Sequence, residues 1–520
     1  MTKKYTFFIL FVIVLFGFLI KVYRLSDIPS GFFCDEASIG YNAYSVLHYG
    51  KDEYGKPLPF FFQAFGEYKN PIQIYSTVPF IAILGLNELS VRLPSVIFGT
   101  TAIIAIYFLT KELMPKWKNK RIVALIAALF LAISPWHTHF SRASFEGIMP
   151  FILFTTLGLY FFLRSQINIR ALYLSVVAFA LAIYSYFPAR IFIPLLGLSM
   201  VVIYVKFILQ NKRIVALNLL LLLFLLFPLI EITLSPLGFA RWNQVNIFSQ
   251  PPGKITIPQH IVKNYFSHFS PNFLFLKGDI DMPGQFITRH SVRGMGELYL
   301  FQLPLIIFGF IFLIRKRAWK PTIILFLWLI LYPIGSMFTT DQNAQATRSI
   351  IGVVPFQIIS AIGLYYLVRL FSKIRKSLAY ISSFIMFIVI AISFVNYLNL
   401  YFVKYTLYSS DFWGWQYGPK EIIKYFVKVQ ISYDDLYLNG EFNGSEIFYK
   451  FYDPLNSCQN KCKMGSFYTS PQILNPKRKQ LFALSPNALN ESLLREKFLV
   501  KKTIYYPNNT IAFLIGEIVK

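Results

Sequence analysis

The chain has 520 residues, of which 56% are hydrophobic and only 14% charged, with a formal net charge of +26. A soluble globular chain carries about 45–50% apolar and about 25% charged residues, so a soluble enzyme is excluded. The positive charge does not argue for nucleic-acid binding, because it sits in short loops between apolar runs with no basic face interleaved with aromatics.

In chain order, apolar stretches suited to a bilayer core of about 30 Å fall at 5–23, 92–110, 121–136, 147–164, 170–187, 190–209, 213–234, 298–314, 319–338, 351–371 and 378–399. The first follows Lys3 and Lys4 and lacks a small-residue cleavage site, so it reads as an uncleaved span. The stretch 70–86 begins with Asn70-Pro71 and contains Pro79. If it does not cross, the loops holding Lys111 to Arg121, Arg164 and Arg170, Lys206 to Arg213, Arg315 to Lys320 and Arg369 to Lys376 all join the N-terminus on one side. That side then holds 20 basic residues and one acid, Glu112. The bias of basic loops to the cytoplasm therefore makes 70–86 an interfacial helix and the N-terminus cytoplasmic.

The resulting expectation is an all-α polytopic membrane protein in the cell membrane. It has about 11 transmembrane helices, interfacial helices, and a small C-terminal α/β domain outside. Residues 1–399 form the membrane domain and 400–520 the extracytoplasmic domain. Outer loops are expected at 24–91 and 235–296. In the second of these, Ile257, Ile261, Val262, Tyr265, Phe266 and Phe269 recur at helical spacing with His260, Lys263, Asn264 and His268 between them. That pattern fits a helix on the membrane surface or one packed on the tail domain. In the tail, Leu436-Tyr437-Leu438 and Ile504-Tyr505-Tyr506 suggest strands, whereas 419–429 and 445–452 look helical. Cys458 and Cys462 have a spacing that closes a small disulfide in an oxidising compartment.

The chemistry-bearing residues gather in the outer segments. Asp35 and Glu36 lie just past the first span. A partly buried carboxylate there suits a general base, two neighbouring ones suit a divalent cation, and both suit the first turn of a helix. Lys69, ahead of Pro71, stands where a lysine meets a phosphate at a helix N-terminus. Arg142 and Glu146 are four apart, so they are expected to share a helix face and offer a cation and a second acid. Arg190 and Arg348 each open a span and suit bidentate phosphate binding. Asp279, Arg289 and His290, with His139, are candidates to close over a substrate. His137 and His139 lack a third nearby donor for a metal.

This ordered set resembles the GT-C membrane glycosyltransferases, nearest to the branch of the dolichyl-phosphate-mannose protein mannosyltransferases and the lipid A aminoarabinose transferases. The residues that carry the likeness are Asp35-Glu36, Phe65-Gly66-Glu67-Tyr68-Lys69-Asn70-Pro71, Ser90-Val91-Arg92-Leu93-Pro94-Ser95, His139-Phe140-Ser141-Arg142 with Glu146, and His268 to Phe275 with Lys277-Gly278-Asp279. The resemblance implies inverting transfer of a hexosyl, mannosyl-like unit from a polyprenyl-phosphate donor to an extracytoplasmic hydroxyl of a protein, lipid or glycan. It also implies Asp35 as base and Lys69 at the lipid phosphate. Glu146 stands where kin often carry Asp. A transporter or lipid flippase is the alternative outside the class, but charges here avoid span centres. Within the class the alternative is an oligosaccharyltransferase-like enzyme with a pyrophosphate donor.

Overall fold

In the computed structural model, residues 2–235, 237–249, 256–279, 287–439, 442–458, 460–465, 474–475, 477–490 and 497–518 are described. Parts of the long loop, 250–255 and 280–286, lie outside them.

Each of the eleven apolar stretches carries helix. Among the described residues, seven helices are long and apolar enough to cross a membrane, beginning with Lys3–Val22 and Glu88–Leu113. An eighth candidate is a pair, Lys120–Ile133 and Pro135–Ser141, bent by 56°. The sequence predicted a single span from 121 to 136. Pro135 ends it, because its ring cannot continue the preceding helix and instead starts a new one. Ser134 caps that new helix by accepting from the His137 N–H. The helices Ala171–Ile183, Ala189–Ile203 and Gln302–Arg315 are shorter than expected, at 13, 15 and 14 residues.

Helix packing in the bundle depends on small residues that let backbones approach. Helices Gln302–Arg315 and Val353–Ile374 meet through Gly309 and Gly363. A Cβ on Gly363 would lie 1.8 Å from the Leu305 carbonyl oxygen, and one on Gly309 would lie 2.3 Å from that of Ile359.

The expected helix of the long loop runs Ile257–Ser267, with its orientation opposite to simple amphipathic packing on protein. Two of its polar residues, His260 and Asn264, face inward, whereas Lys263 is exposed. His260 Nε2 bonds the Thr339 carbonyl at 3.0 Å, and Asn264 donates to the carbonyls of Ser336 and Asp341. Val262 and Phe266 are exposed, but Tyr265 is half-buried and donates to the Ile330 carbonyl. The helix therefore packs on the 330–341 segment and leaves Val262 and Phe266 free to meet a membrane surface.

The C-terminal part holds a five-stranded sheet in the order Cys462–Gly465, Asp435–Asn439, Gln480–Leu484, Ile511–Ile518, Phe498–Tyr505. The first three strands are parallel and the last two join antiparallel. Helices Pro419–Val429 and Glu446–Tyr452 fall where the sequence placed them. Cys458 and Cys462 are disulfide-bonded. The helix Glu446–Tyr452 docks on the segment that carries Asp35: Lys450 pairs with Glu53 at 2.9 Å, and Phe451 packs on Phe32 with ring centroids 4.7 Å apart.

Gly363→Ala is expected to destabilise the bundle by about 1–3 kcal/mol through overpacking, read as a lower thermal midpoint in detergent. Gly197→Ala, where a Cβ meets nothing within 4 Å, leaves that midpoint unchanged.

Candidate active site

Asp35 and Glu36 open the helix Cys34–Tyr49, whose N-cap Phe33 is extended. Both lie in its first turn, where acids complement exposed N–H groups. Consecutive helical residues point about 100° apart, since a turn takes about 3.6 residues. The doublet therefore splits.

Glu36 turns inward and is 1% exposed. Its two oxygens accept from Arg92 Nε and Nη2, each at 2.9 Å. Oε1 also accepts from the Ser144 N–H at 2.9 Å, and Oε2 from the Phe33 N–H at 3.4 Å. Arg92, fully buried, spends its remaining donors on the carbonyls of Leu25, Pro29 and Gly31. Glu36, expected as a catalytic acid, is thus engaged by Arg92 and two backbone N–H groups instead of sharing a site with Asp35. Each acid has its own counter-cation, and the two carboxylates face different partners. No group of three or more potential metal ligands exists among the described residues.

Asp35 turns toward Lys69, which Phe62–Ala64 and Glu67–Lys69 present from a hairpin. Phe65 and Gly66 form its two-residue turn, both at positive φ, as a tight hairpin requires. Alternation along the second strand puts Glu67 and Lys69 on one face. Lys69 Nζ then meets three acids: Glu67 Oε1 at 2.6 Å, Asp35 Oδ1 at 3.2 Å and Glu146 Oε1 at 3.6 Å. Arg241, on the helix Ala240–Val245 of the long loop, reaches Glu67 Oε2 at 3.4 Å. Three carboxylates thus face two cations.

These charges set one another's protonation. Burial pushes the Asp35 carboxyl up, but Lys69, and then Arg241, more than offset this and hold it below its ordinary 3.8. Burial alone would lower Lys69; Asp35, Glu146 and Glu67 together push it well above its usual value. The Asp35 side chain is 22% exposed, whereas that of Lys69 is 10% exposed. A cavity of about 10 Å³, lined by Asp35, Ser38, Lys69, Asn70, Gln73 and Glu146, lies among them. It has room for about one water.

The other expected residues fall around this cluster. Glu146 joins it with φ +38°, a backbone conformation rare for a non-glycine residue. It shares no helix face with Arg142, because the helix Pro135–Ser141 ends before both. Arg142 is fully buried and donates to the carbonyls of Ile20, Lys21, Tyr23 and Ile28. It satisfies the open C-terminal end of the first helix, so four of its donated bonds go to backbone and not to the cluster where a phosphate was expected. Arg190 donates to Asn70 Oδ1 at 2.9 Å and lies over the Phe187 ring. Arg348 is tied to Asp341. Arg289 stacks 3.9 Å over the ring of Phe33, two residues before Asp35, and donates to the Trp413 carbonyl. His139 Nε2 holds the Arg289 carbonyl at 2.8 Å. Asp279 is buried, accepting from Ser291 and from the Ala346 N–H, with His290 Nδ1 at 3.5 Å. Asp279, His290 and His139 thus back Arg289 and are not themselves in the cluster.

Sequence reasoning gave no role to Glu67 or Arg241. The alternation Glu67-Tyr68-Lys69 after a Phe-Gly turn was a usable signal for the first. A lone arginine in a long loop gives none for the second.

The family model described as dolichyl-phosphate-mannose-protein mannosyltransferase matches residues 69–231. No curated protein sequence matches the chain. ArnT of Cupriavidus metallidurans, solved bound to undecaprenyl phosphate, superposes with a TM-score of 0.61 at 12% identity, covering 99% of this chain and 98% of that one. The chain has the GT-C glycosyltransferase fold. The oligosaccharyltransferase of Archaeoglobus fulgidus, tethered to an acceptor peptide, matches with a TM-score of 0.51 at 12% identity, over 98% of this chain and 74% of that one. A further structure of it, as AglB with an inhibitory peptide and a dolichol-phosphate, matches equally at 0.51. Within this GT-C fold the expected class of all-helical membrane body with a small C-terminal sheet domain holds.

Removing one partner of a buried ion pair strands the other. Glu36→Gln or Arg92→Met is therefore expected to cost about 3–5 kcal/mol of stability, read by thermal unfolding in detergent, whereas Asp35→Asn, which leaves Lys69 paired with Glu67 and Glu146, is expected to lower the midpoint less.

Proposed function

We propose that the chain transfers a sugar from a polyprenyl-phosphate donor to an acceptor hydroxyl, with inversion at the anomeric carbon. The observation that carries this reading is the meeting of Asp35, Lys69 and Glu146 in one partly open cluster. Two observations support it: the GT-C fold itself, and structural neighbours whose printed ligands are undecaprenyl phosphate and dolichol-phosphate.

In this reading Asp35 takes the proton of the acceptor hydroxyl. The freed oxygen pair attacks the anomeric carbon from the face opposite the phosphate. The bond from that carbon to the phosphate oxygen breaks, and the lipid phosphate departs with the electron pair. Held by Lys69, and by Arg241 across Glu67, the leaving group needs no proton. Positioned cations at developing negative charge are often the largest catalytic term.

In this reading the cluster also acts as a gate. A cavity with room for about one water admits a headgroup only when ion pairs part. A phosphate that draws Lys69 away leaves Asp35 with less positive charge beside it. Its pKa then rises, and it becomes a stronger base only when donor is present. Arg190 and Arg348, held by Asn70 and Asp341, stand ready as further cations in this reading.

The separation of charges fits an exterior site. The helix Glu88–Leu113 begins beside Glu36 through Arg92 and ends at Lys111, Lys116 and Lys118, so the basic loops and the acid cluster lie at opposite ends of it. Basic loops belong on the cytoplasmic side.

Asp35→Asn is expected to lower kcat about 10²–10⁴-fold, the typical worth of a general base, with donor affinity retained. Lys69→Met should weaken donor binding at least ten-fold with purified protein and a polyprenyl-phosphate sugar. Asp35→Asn turnover within two-fold of wild type would refute the base. The pH profile follows from the depressed Asp35 pKa. Its carboxylate form, and the stability it brings, persist above the ordinary value and are lost only as pH falls through the lowered one. The acid limb of kcat/KM that belongs to Asp35 is therefore expected below pH 3.8.

A further inference from the structure

A second polar cavity lies where the membrane body meets the C-terminal part. It has a volume of about 280 Å³, close to the lower end of the roughly 300–1,000 Å³ common for ligand sites. One wall is the loop after the first helix, including Asp27 and Phe32. The opposite wall is the start of the helix Pro419–Val429, with Gln416, Tyr417 and Glu421.

Its frame is rigid. Arg92 fixes the loop by donating to the carbonyls of Pro29 and Gly31. Gly31 has φ +107°, and a Cβ there would lie 2.4 Å from the Trp415 carbonyl oxygen, so loop and tail are in direct contact. Glu88 joins the halves from the other side, held by Lys420 Nζ at 2.9 Å and the Tyr452 hydroxyl at 3.0 Å.

Two polar atoms in this frame lack partners. Gln416 is 1% exposed; its Oε1 accepts from the Cys34 N–H at 3.3 Å, but its Nε2 has no hydrogen bond. Glu421 on the same wall is half-buried; Tyr417 lies against its carboxyl, but its enclosed Oε2 has no hydrogen bond of its own. A buried donor or acceptor without a partner is unfavourable, so both atoms suit a ligand that completes them. One is a donor and the other an acceptor. A hydroxyl group both accepts and donates, and would satisfy the pair.

The electrostatics exclude an anion. Asp27, Glu88 and Glu421 line the cavity against one cation, Lys420, and Lys420 is already paired with Glu88. The ring faces of Phe32, Tyr417 and Tyr452 offer apolar surface for C–H groups. A neighbouring cavity of about 400 Å³ shares Gln416 and Tyr417 and adds Phe412, Trp413, Phe442 and Tyr506. The two cavities adjoin along the wall of Gln416 and Tyr417, and we read them as one groove.

We propose that this groove binds a neutral, hydroxyl-rich ligand, a saccharide of two or more units, with Gln416 and Glu421 bonding one of its hydroxyls. Gln416 also touches the backbone of Cys34, the residue before Asp35. The groove is therefore placed to hold the acceptor glycan of the proposed transfer. That name for the ligand rests on the transfer reading; its chemistry does not.

The test uses the full chain in detergent and its Asp35→Asn variant, with a panel of neutral disaccharides of glucose, mannose, galactose and N-acetylglucosamine, and glucuronic-acid disaccharides as the anionic set. Binding is read by saturation-transfer NMR and titration. The expected result is saturable binding of at least one neutral disaccharide, equal in wild type and Asp35→Asn, and weakened ten-fold or more by Glu421→Ala. Glu421→Gln, which keeps the shape and is expected to keep the thermal midpoint, should also weaken it several-fold. Absence of saturable binding across the neutral panel, indifference to both Glu421 variants, or preference for the anionic set would overturn the proposal. Binding that survives in Asp35→Asn while transfer fails in every preparation would leave the groove standing and remove only the acceptor label.

Discussion

The buried pair of Glu36 and Arg92 is the contact on which the rest of the site depends. Glu36 accepts from Arg92 twice, from Ser144 and from Phe33. Arg92 in turn gathers three carbonyls of the loop after the first helix. Three segments far apart in sequence, 25–36, Arg92 and Ser144, are thereby locked together. A buried ion pair is weak evidence for added stability, because desolvation offsets its attraction. It does tie these elements together, since both carboxylate oxygens and all three guanidinium nitrogens have partners. Holding Glu36 inward leaves Asp35, about 100° around the helix, no choice but to face Lys69.

That second cluster follows a different logic. Glu36 and Arg92 match one to one and are sealed. Asp35, Glu67 and Glu146 outnumber Lys69 and Arg241, and Asp35 is partly open to solvent. Arg289 and Arg190 add positive charge around these carboxylates. In the proposed reading the sealed pair is the fixed frame, and the cluster around Lys69 is the part that a phosphate reorganises.

Much of the fold was legible because its signals are local. Apolar run length located helices, Pro135 announced a break that was read too late, and the tail helices were visible from their periodicity. The site was legible in part. Asp35 and Lys69 stood out by position and by family resemblance. The partners of Glu36 and Arg142 were not legible, because a charged residue at a helix end looks the same whether it meets substrate or a ring of carbonyls. Only the partners decide, and those of Arg142 lie more than one hundred residues away. Arg241 was invisible for the same reason: its importance comes from Glu67 across the fold, not from any neighbour in sequence. The helix Ile257–Ser267 shows the converse. Its period was right, but which face turned inward depended on carbonyls of the 336–341 segment that periodicity does not report.

The central claim is that Lys69 exchanges carboxylates for a lipid phosphate. The measurement that tests it most directly is a structure of the full chain determined with a polyprenyl phosphate bound. The account predicts the phosphate within hydrogen-bonding distance of Lys69 Nζ, with the Asp35 carboxylate released and facing open space beside it. A phosphate bound elsewhere, with Lys69 still gripping Asp35, Glu67 and Glu146, would contradict it.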